Sequence, residues 1–246
     1  MSKAFGTPLT DSKNTSNKFE LLQCGDTGSG KTTRSLDATR FGPVFVMDLD
    51  GKLVSTANEL DADQKKLIHF EDLKSKTMME VTKLLKEIKA EFDSGKVPFT
   101  TLVIDTFTIL NEKAYIHAMG KKLDDPKAKA TFDEWGVIGN ILLTFFNTLH
   151  SLPCNIIVNA HVAKNENAEG KTVLGVEGMG SFRNKIAKKM TDSHYLYFEM
   201  GKFQIKAAKS AALPANSAVN KKFLDNQGRL LTPSLEIFDE RAFKNE

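Results

Sequence analysis

The feature that most constrains the fold is a glycine-rich stretch, "GDTGSGKTT", which begins at Gly25. The apolar run "FELLQC" before it predicts a buried strand, and the residues from Lys31 to Thr39 predict a helix. Gly25, Gly30, Lys31 and Thr32 satisfy the pattern G-x-x-x-x-G-K-[ST] in the strand-to-helix context in which it binds phosphate. The alternative interpretation is an ordinary glycine-rich turn.

The residue types of this stretch suit a triphosphate. Glycines allow backbone N–H groups to converge on phosphate oxygens, and the start of the following helix adds partial positive charge. Lys31 supplies a charge to the β and γ phosphates, and the Thr32 hydroxyl suits Mg²⁺. The stretch therefore predicts an ATP and Mg²⁺ site. The predicted nucleotide contacts are Gly25, Asp26, Thr27, Gly28, Ser29, Gly30, Lys31, Thr32 and Thr33.

A second anionic group is expected beside the metal. The run "TLVID" is a mainly apolar strand that ends in Asp105, about seventy residues after the glycine-rich stretch. This is the position of a Walker B carboxylate, which holds Mg²⁺ together with the threonine of the phosphate loop. Taken alone, an apolar run ending in Asp has a structural interpretation as well.

Two further carboxylates follow the second apolar run, in "VFVMDLDG". In open α/β sheets, ligands gather at the carboxyl ends of the strands, where Asp48 and Asp50 are expected to lie. Either one can cap the next helix. We assign the capping role to Asp48 and the orientation of an attacking water to Asp50.

The run "NIIVNAH" ends in His161. If its strand lies next to the first strand, the imidazole lies close to the γ-phosphate. A structural histidine is an equally open interpretation, because most isolated histidines have no catalytic role.

The alternation of apolar runs with helical segments predicts the fold class. Runs that are apolar on both faces indicate an α/β protein with a mostly parallel sheet between two layers of helices. Beyond residue 193, strand-like segments around Gly201 and Gly228 predict antiparallel hairpins at the sheet edge. We expect a flexible polar arm over residues 1–18 and a single domain over residues 19–246.

Composition excludes some classes of protein. The chain has no apolar run near 18 residues and no hydrophobic N-terminal stretch, so we expect a cytoplasmic protein without a membrane span or secretory signal. Cys24 and Cys154 lie in separate strand-like runs, which predicts reduced buried thiols. The net charge of +3 is too small to indicate a partner.

Together these motifs resemble a known family. The order of the phosphate loop, the acidic pair, "TLVIDTFTIL", "NAHV" and the glycine-rich "VEGMGSFRNKIAKKMTDSHYLYF" is similar to RecA-like ATPases, and most similar to phage-encoded single-strand annealing ATPases of the Sak type. The resemblance covers about residues 19–210. It implies a three-layer RecA-like P-loop NTPase core and an ATPase that binds single-stranded DNA in recombination.

The resemblance also implies residue roles. It makes Lys31 and Thr32 the phosphate and Mg²⁺ contacts, Asp105 the Walker B acid, Asp50 the catalytic carboxylate and His161 the γ-phosphate sensor. RecA-like enzymes usually carry Glu in place of this Asp and often Gln in place of this His. Because Asp is one methylene shorter than Glu, we expect slow turnover. The short chain favours annealing over complete strand exchange.

Residues 162–189 predict the DNA contact. They contain four glycines and six basic side chains against three acidic ones, which predicts a flexible basic loop. By resemblance, this loop holds single-stranded DNA, with Phe182 as a base-stacking surface. The predicted backbone contacts are Lys164, Lys171, Arg183 and Lys185. An ordinary solvated loop is the alternative.

The resemblance further implies self-association as a ring or filament. Lysines after the late hairpin, Lys206 or Lys209, then reach the nucleotide of a neighbouring subunit, although ordinary surface lysines fit the pattern equally well. A single-stranded-DNA-binding protein is a further expected partner. The segment "GKKLDDPKAKA" has mixed charge and receives little weight.

Other functions remain open on the sequence. A P-loop small-molecule kinase generally needs an arginine-bearing lid, and Arg183 is placed where one is conceivable. A helicase or packaging motor lacks a visible accessory domain. A nucleotide-dependent scaffold with negligible turnover is consistent with Asp50 in place of Glu.

Overall fold

The computed structural model of the protein describes residues 18–96, 98–166, 170, 172–208, 214–215 and 221–244. The predicted N-terminal arm, residues 1–18, lies outside the described residues except for Lys18. The Lys18 ammonium group donates hydrogen bonds to the carbonyl oxygens of His150 and Leu152 and forms an ion pair with Glu20. Lys18 is therefore fixed against the body of the domain.

The described residues form nine strands, seven α-helices and short 3-10 helices. The strands are β1 (Glu20–Gly25), β2 (Val44–Asp48), β3 (Ile68–Asp72), β4 (Thr101–Asp105), β5 (Asn155–Ala160), β6 (Val162–Glu166), β7 (Thr172–Val176), β8 (Asp192–Glu199) and β9 (Lys202–Lys206). The α-helices are α1 (Lys31–Leu36), α2 (Leu53–Ala57), α3 (Ala62–Lys66), α4 (Met78–Asp93), α5 (Phe107–Met119), α6 (Phe132–His150) and α7 (Ile186–Lys189). The 3-10 helices are Asp37–Phe41, Gly120–Asp124, Ser181–Asn184, Lys221–Phe223 and Leu235–Phe238.

Seven strands form one sheet in the order β3-β2-β4-β5-β1-β8-β9. The pairs among the first six are parallel, and β9 runs antiparallel to β8. Strands β1, β4 and β5 are buried along their whole length, which explains their continuous apolar runs. Because the strands are parallel, the carboxyl ends of β1, β2, β4 and β5 meet at one edge of the sheet.

Apolar side chains on the two faces of the sheet form two core clusters. One cluster contains Leu22 of β1 and Phe146 of α6. The other contains Leu21 of β1, Leu36 of α1 and Phe238 of the C-terminal segment. Successive residues of one strand thus belong to different layers, as the pleat of a strand requires. The predicted α/β fold, with helices on both faces of a mostly parallel sheet, is confirmed.

The two predicted C-terminal hairpins differ in extent. The hairpin around Gly201 is confirmed, since β8 and β9 pair over five residues on each side. Around Gly228 the chain makes two isolated bridges, Lys206 with Arg229 and Leu224 with Leu230. The Asp225 side chain accepts hydrogen bonds from backbone N–H groups in this turn, which fixes the turn without longer strands.

The two cysteines behave as predicted. Cys24 and Cys154 are buried free thiols, and burial raises the pKa of each to about 12. Both are therefore uncharged at neutral pH. Across the described part of the chain, no helix has the length and apolarity needed to cross a membrane.

We predict that the C-terminal 3-10 helix is an integral part of the core. Phe238 is fully buried, and its ring stacks on Phe19 with 4.4 Å between centroids. Phe238→Ala is expected to lower the free energy of unfolding by about 3–5 kcal/mol, because the surrounding side chains cannot fill the cavity that the lost ring leaves. Phe198→Ala, whose ring is 61% exposed, serves as the control and is expected to change it by less than about 1 kcal/mol. Urea unfolding measures both, and equal effects contradict the assignment.

Candidate nucleotide site

The glycine-rich stretch forms a tight loop between β1 and α1. Gly28 and Gly30 have φ angles of 78° and 84°, in the left-handed region that favours glycine. The Ser29 N–H donates to the Asp26 carbonyl oxygen at 3.2 Å, and the Arg34 N–H donates to the Gly30 carbonyl oxygen at 2.9 Å. The loop therefore turns sharply into the first turn of α1, as a phosphate-binding loop must.

Gly25 is required for a different reason. A Cβ atom at this position would lie closer than van der Waals contact to the carbonyl oxygen of Leu196 in β8 and to the Ser29 hydroxyl. The end of β1 is thus pressed between the neighbouring strand and the loop. Any larger residue must displace one of them.

The Lys31 ammonium group lies inside the loop. It donates hydrogen bonds to the carbonyl oxygens of Gly25 and Asp26, each at 2.8 Å. Burial lowers the pKa of Lys31, and the negative charge of Asp105 opposes that shift. The loop thus holds the Lys31 ammonium group against its own carbonyl oxygens, and Lys31 also lines the adjoining cavity.

Thr32 and Asp105 are in direct contact. The Thr32 hydroxyl donates to the Asp105 carboxylate at 2.7 Å. Burial raises the pKa of Asp105, while the hydrogen bond from Thr32 opposes the shift. A hydroxyl oxygen next to a carboxylate is a donor set that Mg²⁺ accepts together with phosphate oxygens and water. These two residues therefore fit the predicted metal.

A cavity of about 230 Å³ adjoins the loop. It brings the loop together with Asp50, Asp105 and His161, which come from the ends of three different elements. Six of the predicted nucleotide contacts line it: Thr27, Gly28, Gly30, Lys31, Thr32 and Thr33. Asp26 and Ser29 line an adjoining cavity beside Tyr195 and Tyr197.

The two carboxylates after β2 have different surroundings. The Asp48 carboxylate accepts hydrogen bonds from the N–H groups of Gly51 at 2.8 Å and Leu53 at 3.0 Å, so it fixes the chain at the start of α2. Asp50 lines the cavity and forms an ion pair with Lys52 at 2.8 Å. Asp50 is thus the carboxylate that is open to a ligand.

His161 follows β5, which lies next to β1, so the condition for placing its imidazole near the γ-phosphate is met. Its imidazole lines the cavity, and burial together with the charge of Lys31 lowers its pKa. Its backbone is held on both sides. The His161 N–H donates to the Thr108 hydroxyl at 3.1 Å, and the His161 carbonyl accepts from the Glu177 N–H at 2.8 Å.

The comparison with known families agrees with this geometry. The profile of the AAA domain family matches residues 17–218, most of the chain. The chain belongs to the AAA domain family. No individually curated protein matches the sequence. Membership places the chain among P-loop NTPases, whose expected chemistry is the binding and hydrolysis of a nucleoside triphosphate.

A row of buried polar side chains lies beneath the P-loop of this AAA domain. Gln23 in β1 is in register with Asn159 of β5 and His194 of β8. The Gln23 amide donates to the Asn159 side-chain oxygen at 3.1 Å and accepts from Arg34 at 2.6 Å. Gln23 also donates to the Lys31 carbonyl oxygen at 3.3 Å. The row therefore ties α1 to three adjacent strands.

The sequence analysis missed several residues of the site. Lys52, Thr56 and Phe203 also line the phosphate cavity. Phe203 further borders a second cavity of about 440 Å³, which shares Gly30 and Thr33 with the first. Phe203 lies in β9, far away in sequence, and only the pairing of β9 with β8 brings it to the loop. No local sequence signal marks it.

The Phe182 prediction was wrong. Its side chain is only 6% exposed, and its ring packs on Phe107 and Phe146 at 6.3 and 5.5 Å between centroids. The 3-10 helix Ser181–Asn184 turns this residue into the core while its neighbours remain at the surface. Phe182 therefore cannot stack on a base.

The predicted flexible loop also has more structure than expected. Residues on either side of position 170 form an antiparallel hairpin, β6 and β7. Lys164 is exposed on β6, and Lys185 is exposed before α7. Arg183 is partly buried and donates to the Gly178 carbonyl oxygen at 3.1 Å. Lys171 lies outside the described residues.

The two lysines assigned to a neighbouring subunit have separate outcomes. The Lys206 ammonium group donates to the Gln227 carbonyl oxygen within its own chain. Lys209 lies outside the described residues. A role for either lysine in a neighbouring site stays a prediction.

We predict that Gly25→Ala abolishes high-affinity triphosphate binding. The added methyl group meets the Leu196 carbonyl oxygen and must displace the loop that holds Lys31. Gly136→Ala is the matched control, because it lies in α6 with nothing near its added Cβ and is expected to stabilise the helix by about 0.5–1 kcal/mol. Titration with a fluorescent ATP analogue measures both. Unchanged affinity in Gly25→Ala contradicts the role of this contact.

Proposed function

We propose that this AAA domain is an ATP- and Mg²⁺-dependent ATPase whose nucleotide state controls its binding to single-stranded DNA, and that it promotes strand annealing in recombination. One observation carries the nucleotide part of the proposal. The Thr32 hydroxyl donates a hydrogen bond to the Asp105 carboxylate, and the ammonium group of Lys31 is buried in the loop. These three residues line the same cavity as Asp50 and His161.

Five side chains of the cavity have a proposed part in hydrolysis. Lys31 and the loop N–H groups hold the phosphates, and Thr32 and Asp105 hold the metal. Asp50 orients the attacking water, and His161, neutral at pH 7, donates or accepts one hydrogen bond near the γ-phosphate. A Mg²⁺ ion held by Thr32 and Asp105 would supply positive charge to the phosphoryl group.

The second cavity is the proposed site of the base and sugar. It begins where the phosphate cavity ends, since both are lined by Gly30, Thr33 and Phe203. Leu196, Ile205 and Pro233 line it as well. An aromatic ring on the wall of a cavity with apolar neighbours suits a nucleobase.

Coupling to DNA is proposed to pass through His161. The hairpin β6–β7 leaves the sheet at this residue and returns to it, because the Glu177 N–H donates to the His161 carbonyl. A change at the imidazole therefore acts on both ends of a hairpin that carries the exposed Lys164. ATP controls DNA affinity only if it favours one hairpin position over another.

Self-association is proposed to involve the β8–β9 hairpin. Strand β9 is an edge of the sheet, and its hairpin exposes Phe198, Met200 and Phe203. Exposed apolar side chains on an edge strand favour contact with another chain. A neighbouring copy there would lie next to the nucleotide, where Lys206 could act in trans.

One observation favours a second candidate, the nucleotide-dependent scaffold. Asp50 forms an ion pair with Lys52, which competes with the orientation of water. The kinase alternative gains no such support. Arg183 is bound to the Gly178 carbonyl and does not line the phosphate cavity.

We predict that Asp50→Asn keeps ATP binding but lowers hydrolysis by about 10²-fold or more, the usual contribution of a positioned base. Asp63→Asn, which removes an exposed carboxylate on α3, is the matched control and is expected to retain full turnover. Lys31→Ala should lose binding itself. Phosphate release and nucleotide titration separate these effects. Normal turnover in Asp50→Asn would mean that another residue orients the attacking water. Negligible turnover in the unmodified protein would support the nucleotide-dependent scaffold.

We predict that affinity for a labelled single-stranded oligonucleotide differs between ATP and ADP and falls steeply with salt. The double variant Lys164→Ala/Lys185→Ala should reduce the log–log salt slope by about 1.4, since each lost phosphate contact accounts for about 0.7. Lys83→Ala/Lys86→Ala removes the same charge from exposed positions of α4 and should leave the slope unchanged. Fluorescence anisotropy measures binding, and pairing of complementary strands measures annealing. Nucleotide-independent binding rejects the coupling.

A further inference from the structure

A group of exposed apolar side chains lies away from the nucleotide cavity, at the start of α6. Trp135 is the only tryptophan of the chain, and 38% of its side chain is exposed. Phe132, one turn earlier, is 91% exposed, and Met179 is 38% exposed. Exposed apolar side chains that lie close together on a surface are typical of a binding site. We refer to Phe132, Trp135 and Met179 as the α6 platform.

Two members of the α6 platform, Trp135 and Met179, line a small cavity of about 290 Å³ between α6 and the segment that follows β7. Gly180 lies against the tryptophan ring, since a Cβ at that glycine would be 3.0 Å from it, and its φ angle is 71°. Phe182 forms the inner wall. The ring also packs against the Tyr115 ring, with 5.8 Å between centroids, so the partly exposed indole is held in place by its neighbours.

The segment beside the platform is strongly basic. Residues 178–191 carry four cationic side chains and no acidic one: Arg183, Lys185, Lys188 and Lys189. Lys185 and Lys188 are exposed. On the other side, residues 120–134 have four basic and four acidic side chains, and Lys122 is paired with Glu134. The net positive charge next to the platform therefore comes from residues 178–191 and not from residues 120–134.

We propose that the α6 platform stacks an unpaired base of single-stranded DNA while the 183–189 segment follows the adjoining phosphates. This inference rests on the proposed function and assigns it a base contact that replaces the buried Phe182. An exposed ring next to a line of cations is how proteins bind single strands without sequence preference. Duplex DNA fits poorly, because its bases are already stacked.

The platform is connected to the nucleotide site through α5. Asn111, fully buried on that helix, accepts a hydrogen bond from the Met179 N–H at 2.5 Å and donates to the Met179 carbonyl at 3.2 Å. The same helix begins two residues after Asp105 and carries Thr108, whose hydroxyl accepts a hydrogen bond from the His161 N–H. A shift of α5 on nucleotide binding would move the platform with it.

The single tryptophan makes the stacking directly measurable. We expect oligothymidylate to quench the fluorescence of Trp135 in a saturable manner in the full chain with bound ATP analogue. An abasic oligonucleotide of equal length and charge should leave the emission unchanged. Trp135→Ala should weaken oligothymidylate binding about tenfold, as loss of one stacked base does, whereas Trp135→Phe should stay within about threefold. Phe70→Ala, an exposed ring on the opposite edge strand β3, is the matched control.

The outcomes separate the two proposals. If anisotropy detects oligonucleotide binding but the tryptophan emission does not change, base stacking on the α6 platform is wrong and the proposed function stands. Equal quenching by the abasic oligonucleotide or by polyglutamate also overturns base stacking, and the latter points to an acidic protein partner. If anisotropy detects no binding in any nucleotide state, the DNA part of the proposed function fails and the platform proposal fails with it.

Discussion

The site depends on one buried cation. The Lys31 ammonium group is held by two carbonyl oxygens of the loop, and the Lys31 carbonyl is held from below by Gln23. The residue is therefore fixed at both its side chain and its backbone. The sharp path of the loop, with Gly28 and Gly30 in the left-handed region, brings those carbonyls within reach. Burial lowers the pKa of this ammonium, so an anionic ligand that enters the loop stabilises its charged form.

Sheet order then decides which residues meet this cation. Because β5 lies next to β1 and β4 lies next to β5, Asp105 and His161 arrive at the same edge as the loop although they are separated from it by more than seventy residues. The antiparallel β9 is added on the other side and contributes Phe203. The parallel strands supply the groups proposed for chemistry, and the edge hairpin supplies an aromatic wall.

The parts of this arrangement that could be predicted from sequence share a physical origin. Gly25 to Thr32, Asp105 and His161 all follow continuous apolar runs, and buried parallel strands end at one edge, so their carboxyl ends could be located without knowing the strand order. The direction of the Phe182 side chain could not be predicted, because a single aromatic residue between polar residues belongs to no periodic pattern that would assign it to the core or to the surface. The β6–β7 hairpin was missed for a different reason, since both strands are mostly only partly buried and β6 contains three polar residues in succession.

The charges of the cavity indicate why a metal should accompany the nucleotide. Lys31 and Lys52 supply two positive charges, Asp50 and Asp105 supply two negative ones, and His161 is neutral because burial lowers its pKa. The side chains thus carry no excess charge to balance a triphosphate. Burial also raises the pKa of Asp105, so its carboxylate is not fully stabilised by the protein alone. A divalent cation, which Thr32 and Asp105 would hold, would meet both requirements, whereas a triphosphate without one would add its negative charge to that of the carboxylate.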